Sequence, residues 1–442
     1  MMEATVRAHD QYQVELKLAY PLPPDRSRTF YELDLYIFAP RSLGVNPDTY
    51  TKQQFYTDLQ TYIRIKTPSV SLIHFDNGEA SPLGRLRAVL ESTARQASKK
   101  LPSQYESQIK LFCCIFKSAI RDFVTYIHET VHVDDREHLV RQYVDTVRRI
   151  ATGYRDLQVI IQTPGIGQRT LDLYLFGDEY ISLVVEDHTY HLIDGLSTPE
   201  SCLSPKRKRQ LLALIDNEVQ YRRRREYASI PKEQEDNEKL VFRRSVLKKY
   251  MASILFLDTK VEKEGSLLGH SLFGLAAAVA MIFATAVAFI SQSIYGSLTL
   301  PVFLALVVSY IFKDRIKEIL RFYFSRKMTR FIFDHKTHIR DAARNVVGIC
   351  KESIEFIEER KTPPEIREQR NRDHITEIEN GWVGERTLLY RKRIRLFPEP
   401  IRRIFSKHVV ASVNDIMRFN VQEFLRKMDD PKKKLFKSVP FS

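Results

Sequence analysis

The chain has 442 residues, 43% hydrophobic and 28% charged, a balance that excludes a disordered tail. Four cysteines in this length exclude a disulfide-stapled secreted scaffold, and a mean hydropathy of −0.30 excludes a polytopic transporter. A formal charge of +14 favours an anionic partner, whether lipid head groups or nucleic acid.

Two early stretches, QVELKLAYPLP and TFYELDLYIFAP, alternate in polarity and are rich in β-branched and aromatic residues. They predict a two-stranded β ribbon. A turn at Asn46-Pro47-Asp48 precedes TKQQFYTDLQTYIRI, which reads as a helix. From Pro82 to Tyr154 the pattern is helical, with Phe112, Phe116, Ile120, Phe123, Ile127 and Val131 spaced by three or four. A second helix, Glu137 to Ile150, follows the acidic break Asp134-Asp135.

Across that break stands HETVHVDDREH. On one helix, His128 and His132 would lie a turn apart and could share a zinc ion. Glu129 would then act as general base on the bound water. His138 has the spacing of a third ligand, and the stretch resembles metzincin-type proteases, which implies a zinc metallopeptidase. Asp135 stands where that family has glycine, and no Met lies between His138 and Met251. Zinc peptidase chemistry is therefore the alternative reading; the leading one has no enzyme activity and no cofactor.

A loop at Gln162 to Gln168 leads on to a helix over Pro205 to Ser229. Its basic runs, Lys206–Arg209 and Arg222–Arg225, are expected on an exposed face opposite Leu211, Leu214, Ile215 and Val219. No nucleic-acid module pattern accompanies them, so nucleic acid is not expected as a partner. The carboxylate pairs Asp134-Asp135 and Asp178-Glu179 have no matching second element in sequence. A basic helix, Val241 to Leu257, follows.

From Gly265 to Phe312 there is no Asp, Glu, Lys or Arg. One bilayer crossing needs about 20 apolar residues. The stretch predicts two crossings, Leu267–Ile290 and Ile294–Phe312, broken at Ser291-Gln292-Ser293. Lys248, Lys249, Lys260 and Lys263 precede it; Lys313, Arg315, Lys317, Arg321, Arg326, Lys327 and Arg330 follow it. The positive-inside rule then puts both flanks and both termini in the cytosol and the uncharged turn outside. That compartment suits unpaired Cys113, Cys114, Cys202 and Cys350. Small residues recur every fourth position, as Ala276, Ala280, Ala284 and Ala288, then as Ser297, Pro301, Ala305 and Ser309. Such faces let membrane helices approach closely, within the hairpin or, with Gly265 and Gly269, between copies of the chain.

After Phe312, helix is expected to about Arg360, then a β hairpin over 375–397. A last helix is expected from Ser412 to Met428, with Val413, Met417, Val421, Phe424 and Met428 on its apolar face. Residues 313–442 hold 31 Lys and Arg against 19 Asp and Glu, nearly the whole excess. Attraction to an anionic leaflet accounts for that placement. The fold class expected is α+β, mostly helical: cytosolic domains at 1–260 and 313–442 flank a transmembrane helical hairpin at 265–312. The function expected is a membrane-anchored scaffold or interaction protein of the plasma (inner) membrane. It binds anionic lipid head groups and can form a homo-oligomer, and the sequence names no protein partner.

Overall fold

The computed structural model describes residues 2–95, 101–164, 166–196, 203–230, 237–264, 266–296, 299–328, 333–371, 378, 384–405 and 409–428. The chain is α+β and mostly helical. It opens with strands β1 (Glu3–Ala8), β2 (Gln13–Pro21) and β3 (Thr29–Pro40), then helix α1 (Lys52–Asp58) and strand β4 (Leu59–Ile65). Helices α2 (Pro82–Arg95), α3 (Leu101–Glu129), α4 (Val133–Arg155), α5 (Gln158–Ile161), α6 (Gln168–Gly195), α7 (Pro205–Arg224) and α8 (Glu238–Ala252) follow. Strand β5 (Asp258–Lys263) leads into helices α9 (Ser266–Tyr295) and α10 (Leu300–Met328). Strands β6 (His335–Arg340), β7 (Val346–Ile357), β8 (Glu385–Leu396) and β9 (Ser412–Asn420) complete the chain's main elements.

The chain divides otherwise than at the hairpin. One compact unit holds residues 1–63, 257–404 and 413–442; the other holds 64–256 and 405–412. The expected 1–260 domain is thus two pieces, and its first 63 residues join those beyond 257. The reason is strand pairing across the sequence. The strands of the first unit form two sheets, ordered β1-β2-β9-β4 and β3-β8-β7-β6-β5. The expected ribbon is not formed: β2 pairs with β1, whereas β3 runs antiparallel to β8 from Thr29↔Leu396 to Pro40↔Glu385. Alternation marks a strand but carries no information about its partner.

Three further expectations change in this unit. Helix α1 starts with a capping box between Thr51 and Gln54, but ends at Asp58; LQTYIRI continues as β4. The helix expected up to Arg360 stops at Met328, and β6 and β7 take its place. Val346–Ile357 is rich in β-branched residues, which fit a pleated, half-buried surface. The expected final helix is mostly β9, followed by a short helix at Gln422–Leu425. Val413, Met417 and Val421 are four apart, a spacing that a helix face and a strand face both satisfy. Strand β8 was expected in a local hairpin, and instead lies between β3 and β7; most of the other arm, over 375–383, falls outside the described residues.

The second unit is helical. Its core stacks Phe112 on Tyr154 and Tyr154 on Tyr174, with Phe75 edge-on to Phe112 and Phe116. Helix α6 has no counterpart in the expected elements. It is buried on nearly every side from Leu173 to Val185, so that stretch shows no apolar stripe to read.

Candidate functional site

Helices α9 and α10 leave and re-enter the second sheet of the first unit through neighbouring strands. β5 and β6 are antiparallel, and Lys263 stands opposite His335 at the hairpin's base. The carboxylate of Asp334 secures that base. It accepts from Lys52 Nζ at 2.6 Å, Tyr56 Oη at 3.2 Å and the Ile354 amide at 2.9 Å. At the far end Gly296, at φ +75°, closes α9 by donating its amide to the Gln292 carbonyl. The Arg321 guanidinium lies 4.8 Å from the Phe273 ring, which sets the two helices in antiparallel register.

The inner faces are small. Ala276 and Ala280 are fully buried, Ala284 and Ala288 half-buried, and Ser291 is buried near the tip. A spacing of four advances about 40° per step around a helix of 3.6 residues per turn, so the stripe drifts out of the contact. The same drift corrects the second stripe. Ala305 and Ser309 face inward, Val302 takes the next inward position, and Pro301 is exposed. Ser309 is satisfied within its helix by the Leu306 carbonyl at 2.9 Å. Ser297 and Gly265 lie outside the described residues, and Gly269 lies in the first turn of α9.

The outer faces are apolar and uncovered. Ile282 is 68% exposed, Phe289 69% and Leu300 72%; Leu275, Ile290, Phe303, Leu304 and Ile311 are exposed with them. Burying such a side chain is worth about 1.5–3 kcal/mol, and soluble monomers rarely leave a patch of this extent open. One described helix, over Ser271–Tyr295, is long and apolar enough to cross a membrane, with 11% of its most apolar window buried. The second expected crossing is not borne out as drawn. Residues 294–295 finish α9, α10 begins only at Leu300, and its uncharged part ends at Lys313 after thirteen residues.

The zinc constellation is not assembled. α3 stops at Glu129, and His132 is the N-cap of α4 with extended backbone, so His128 and His132 are not one turn apart on a helix. Arg136 terminates α3 by donating to the Thr130 carbonyl at 2.6 and 3.1 Å. His128 leans on Gly195, where a Cβ would come within 2.6 Å of its ring. His128, Glu129, His132 and His138 are all exposed. Among the described residues, no group of three or more His, Cys, Asp or Glu is placed to hold a metal.

Two buried ionic clusters went unseen in the sequence. In the second unit, Asp178 accepts from Tyr221 at 2.7 Å, Tyr227 at 2.6 Å and Arg155 at 3.3 Å. Arg155 also grips Glu218 at 2.6 Å, Arg243 grips Glu179 at 2.7 Å, and buried Arg222 reaches Ser182 and Glu186. Burial and the Asp178 charge push the Tyr221 hydroxyl up to about 12. The Arg222–Arg225 run is therefore only partly an exposed face: Arg222 is buried, whereas Arg223 and Arg224 are open. The missed signal was an acidic pair inside the apolar run Leu173–Val185, matched by arginines far along the chain. In the first unit, Lys392 is buried 2.6 Å from Asp415 and 3.2 Å from Glu352. Tyr20 donates to Asp415 and Tyr390 to Glu352. Burial opposes the Lys392 charge, but the facing Asp415 and Glu352 hold its pKa well above the usual lysine value. Cys350 is buried beside this cluster, and it, Cys113 and Cys114 are free thiols. Both clusters tie elements together inside closed cores.

No known protein family, curated protein or solved structure matches this chain.

Proposed function

We propose that this protein is a membrane-anchored scaffold or interaction protein, fixed by the α9–α10 hairpin as a two-pass insertion. Both compact units and both termini lie on the cytosolic side, and the turn near Gly296 faces the other side. The observation that carries this reading is the outward apolar surface of both helices, joined to an inner face of small residues. A soluble core helix pair would have the opposite arrangement, large apolar side chains inside and polar ones outside. Charge supports the same placement. Lysines and arginines gather at the hairpin's base and beyond Phe312, and each near an anionic leaflet contributes about 1 kcal/mol. Ala276 and Ala280 are already taken up by the contact with α10, so self-association would use another face of the hairpin.

The test is extraction of the full chain from membranes. It should stay in the pellet through an alkaline carbonate wash, and tags on both termini should be digestible only from the cytosolic side. Release of intact protein by carbonate would overturn the anchor; a terminus protected from cytosolic protease would overturn the two-pass topology.

A further inference from the structure

Resting on the anchoring reading, we propose that the hairpin fits an unusually thin bilayer, one whose hydrocarbon is about 20 Å deep rather than the ordinary 30 Å or so. The two helices disagree about depth. α9 is free of charge through its whole length, whereas α10 meets Lys313, Asp314, Arg315, Lys317, Glu318 and Arg321 in quick succession. From Leu300 to Phe312 the rise is about 20 Å at 1.5 Å per residue. The contact between Arg321 and Phe273 fixes what lies alongside. Eight residues toward the tip from that contact, Lys313 is level with Met281. The stretch Ser271–Ala280, the near part of the candidate span, therefore runs beside the charged part of α10.

Tilt does not reconcile the two. The mismatch along the axis is about 15 Å, against a helix separation of about 8–10 Å, so a common membrane surface would need a tilt near 60°. Membrane helices tilt by roughly 0–40°. The charges are also not shielded by α9. Arg315 and Glu318 pair at 3.1 Å with side chains 73% and 67% exposed, and Asp314 is exposed. Lysine and arginine can extend toward head groups; the short Asp314 and Glu318 carboxylates cannot. Leaving part of α9 in the head-group layer is the lesser cost, because Ala276 and Ala280 there are already covered and only Leu275, Val279 and smaller neighbours face outward. The bilayer surface thus meets the hairpin at the level of Lys313 and Met281, and the polar residues Ser291–Ser293 at the end of α9 reach the opposite interface only where the hydrocarbon is thin.

The full chain should be reconstituted into vesicles of dimyristoleoyl, dioleoyl and dierucoyl phosphatidylcholine, in order of increasing thickness, each with the same share of phosphatidylserine. Carbonate-resistant incorporation should be several-fold higher in the thinnest than in the thickest. A quadruple variant, Lys313→Leu, Asp314→Leu, Arg315→Leu and Lys317→Leu, extends the uncharged run to residue 317 and should move the optimum toward thicker vesicles. Equal incorporation at every thickness, or an optimum in dierucoyl lipid, would overturn the thin-bilayer inference while leaving the anchor standing. Absence of incorporation in all three would overturn the anchor itself, and this inference with it.

Discussion

Helices α6 and α9 are nearly equal in length, and they handle polarity in opposite ways. α6 carries Asp178, Glu179, Ser182 and Glu186 along one side and is buried around most of its circumference. α9 carries no charge at all and is exposed around most of its own. In water the second arrangement is unfavourable and the first is expensive. α6 is tolerated because Arg155, Arg222 and Arg243 neutralise each carboxylate with direct hydrogen bonds. α9 has no such partners to find, and in the proposed anchoring lipid is the surrounding that makes its exposed surface favourable. Composition alone ranks α9 as the core helix; exposure reverses the ranking.

That contrast can be broken first at Asp178. Asp178→Ala removes the acceptor for two tyrosines and Arg155 inside a closed core, and should lower the stability of the second unit by roughly 3–5 kcal/mol. Chemical unfolding of the detergent-solubilised chain, followed by the protease sensitivity of α6, measures it; a change under 1 kcal/mol would mean the cluster is not closed in solution. The corresponding test on α9 is steric. Ala280→Leu overpacks the contact with α10 and should destabilise the hairpin by about 1–3 kcal/mol, whereas Ala278→Leu, on the exposed side, should be close to neutral. Thermal melting of helix content in micelles separates the two, and equal melting would show that the helices do not pair through Ala280.

The smallest expected effect is a pH dependence confined to α6. Burial pushes His188 down to about 4, aided by the positive charge of Lys117 and, when protonated, His191. An imidazole held neutral in the fold takes up its proton more readily when unfolded, so stability is full above pH ~6.5 and declines toward pH ~4. With partial solvent screening the loss should be on the order of 1 kcal/mol. Comparing wild type with His188→Gln between those two pH values isolates it, because the other acid-sensitive groups are common to both. An unchanged slope in the variant would exclude this histidine as its source.

How much was legible follows from the range of each interaction. The hairpin, α3, α4, α7 and the first strands could be read because apolar spacing, charge-free length and alternation act over a few residues. Val413, Met417 and Val421 misled because a repeat of four serves two periodicities. HETVH offered the alternative zinc reading because a motif on paper assumes an unbroken helix, and Arg136, downstream of the motif, ends it. Asp178 and Lys392 could not be read as satisfied, since their partners lie tens of residues away.

By itself, then, the sequence determined some of the helices and strands, α3, α4, α7 and the first strands among them, and which stretch avoids water, because those preferences come from local backbone geometry and side-chain transfer. Only the tertiary structure decided which strand neighbours which, which charges are neutralised in the core, and how far along α9 the charges of α10 reach. Each of these depends on bringing distant segments together, and no local pattern encodes the partner.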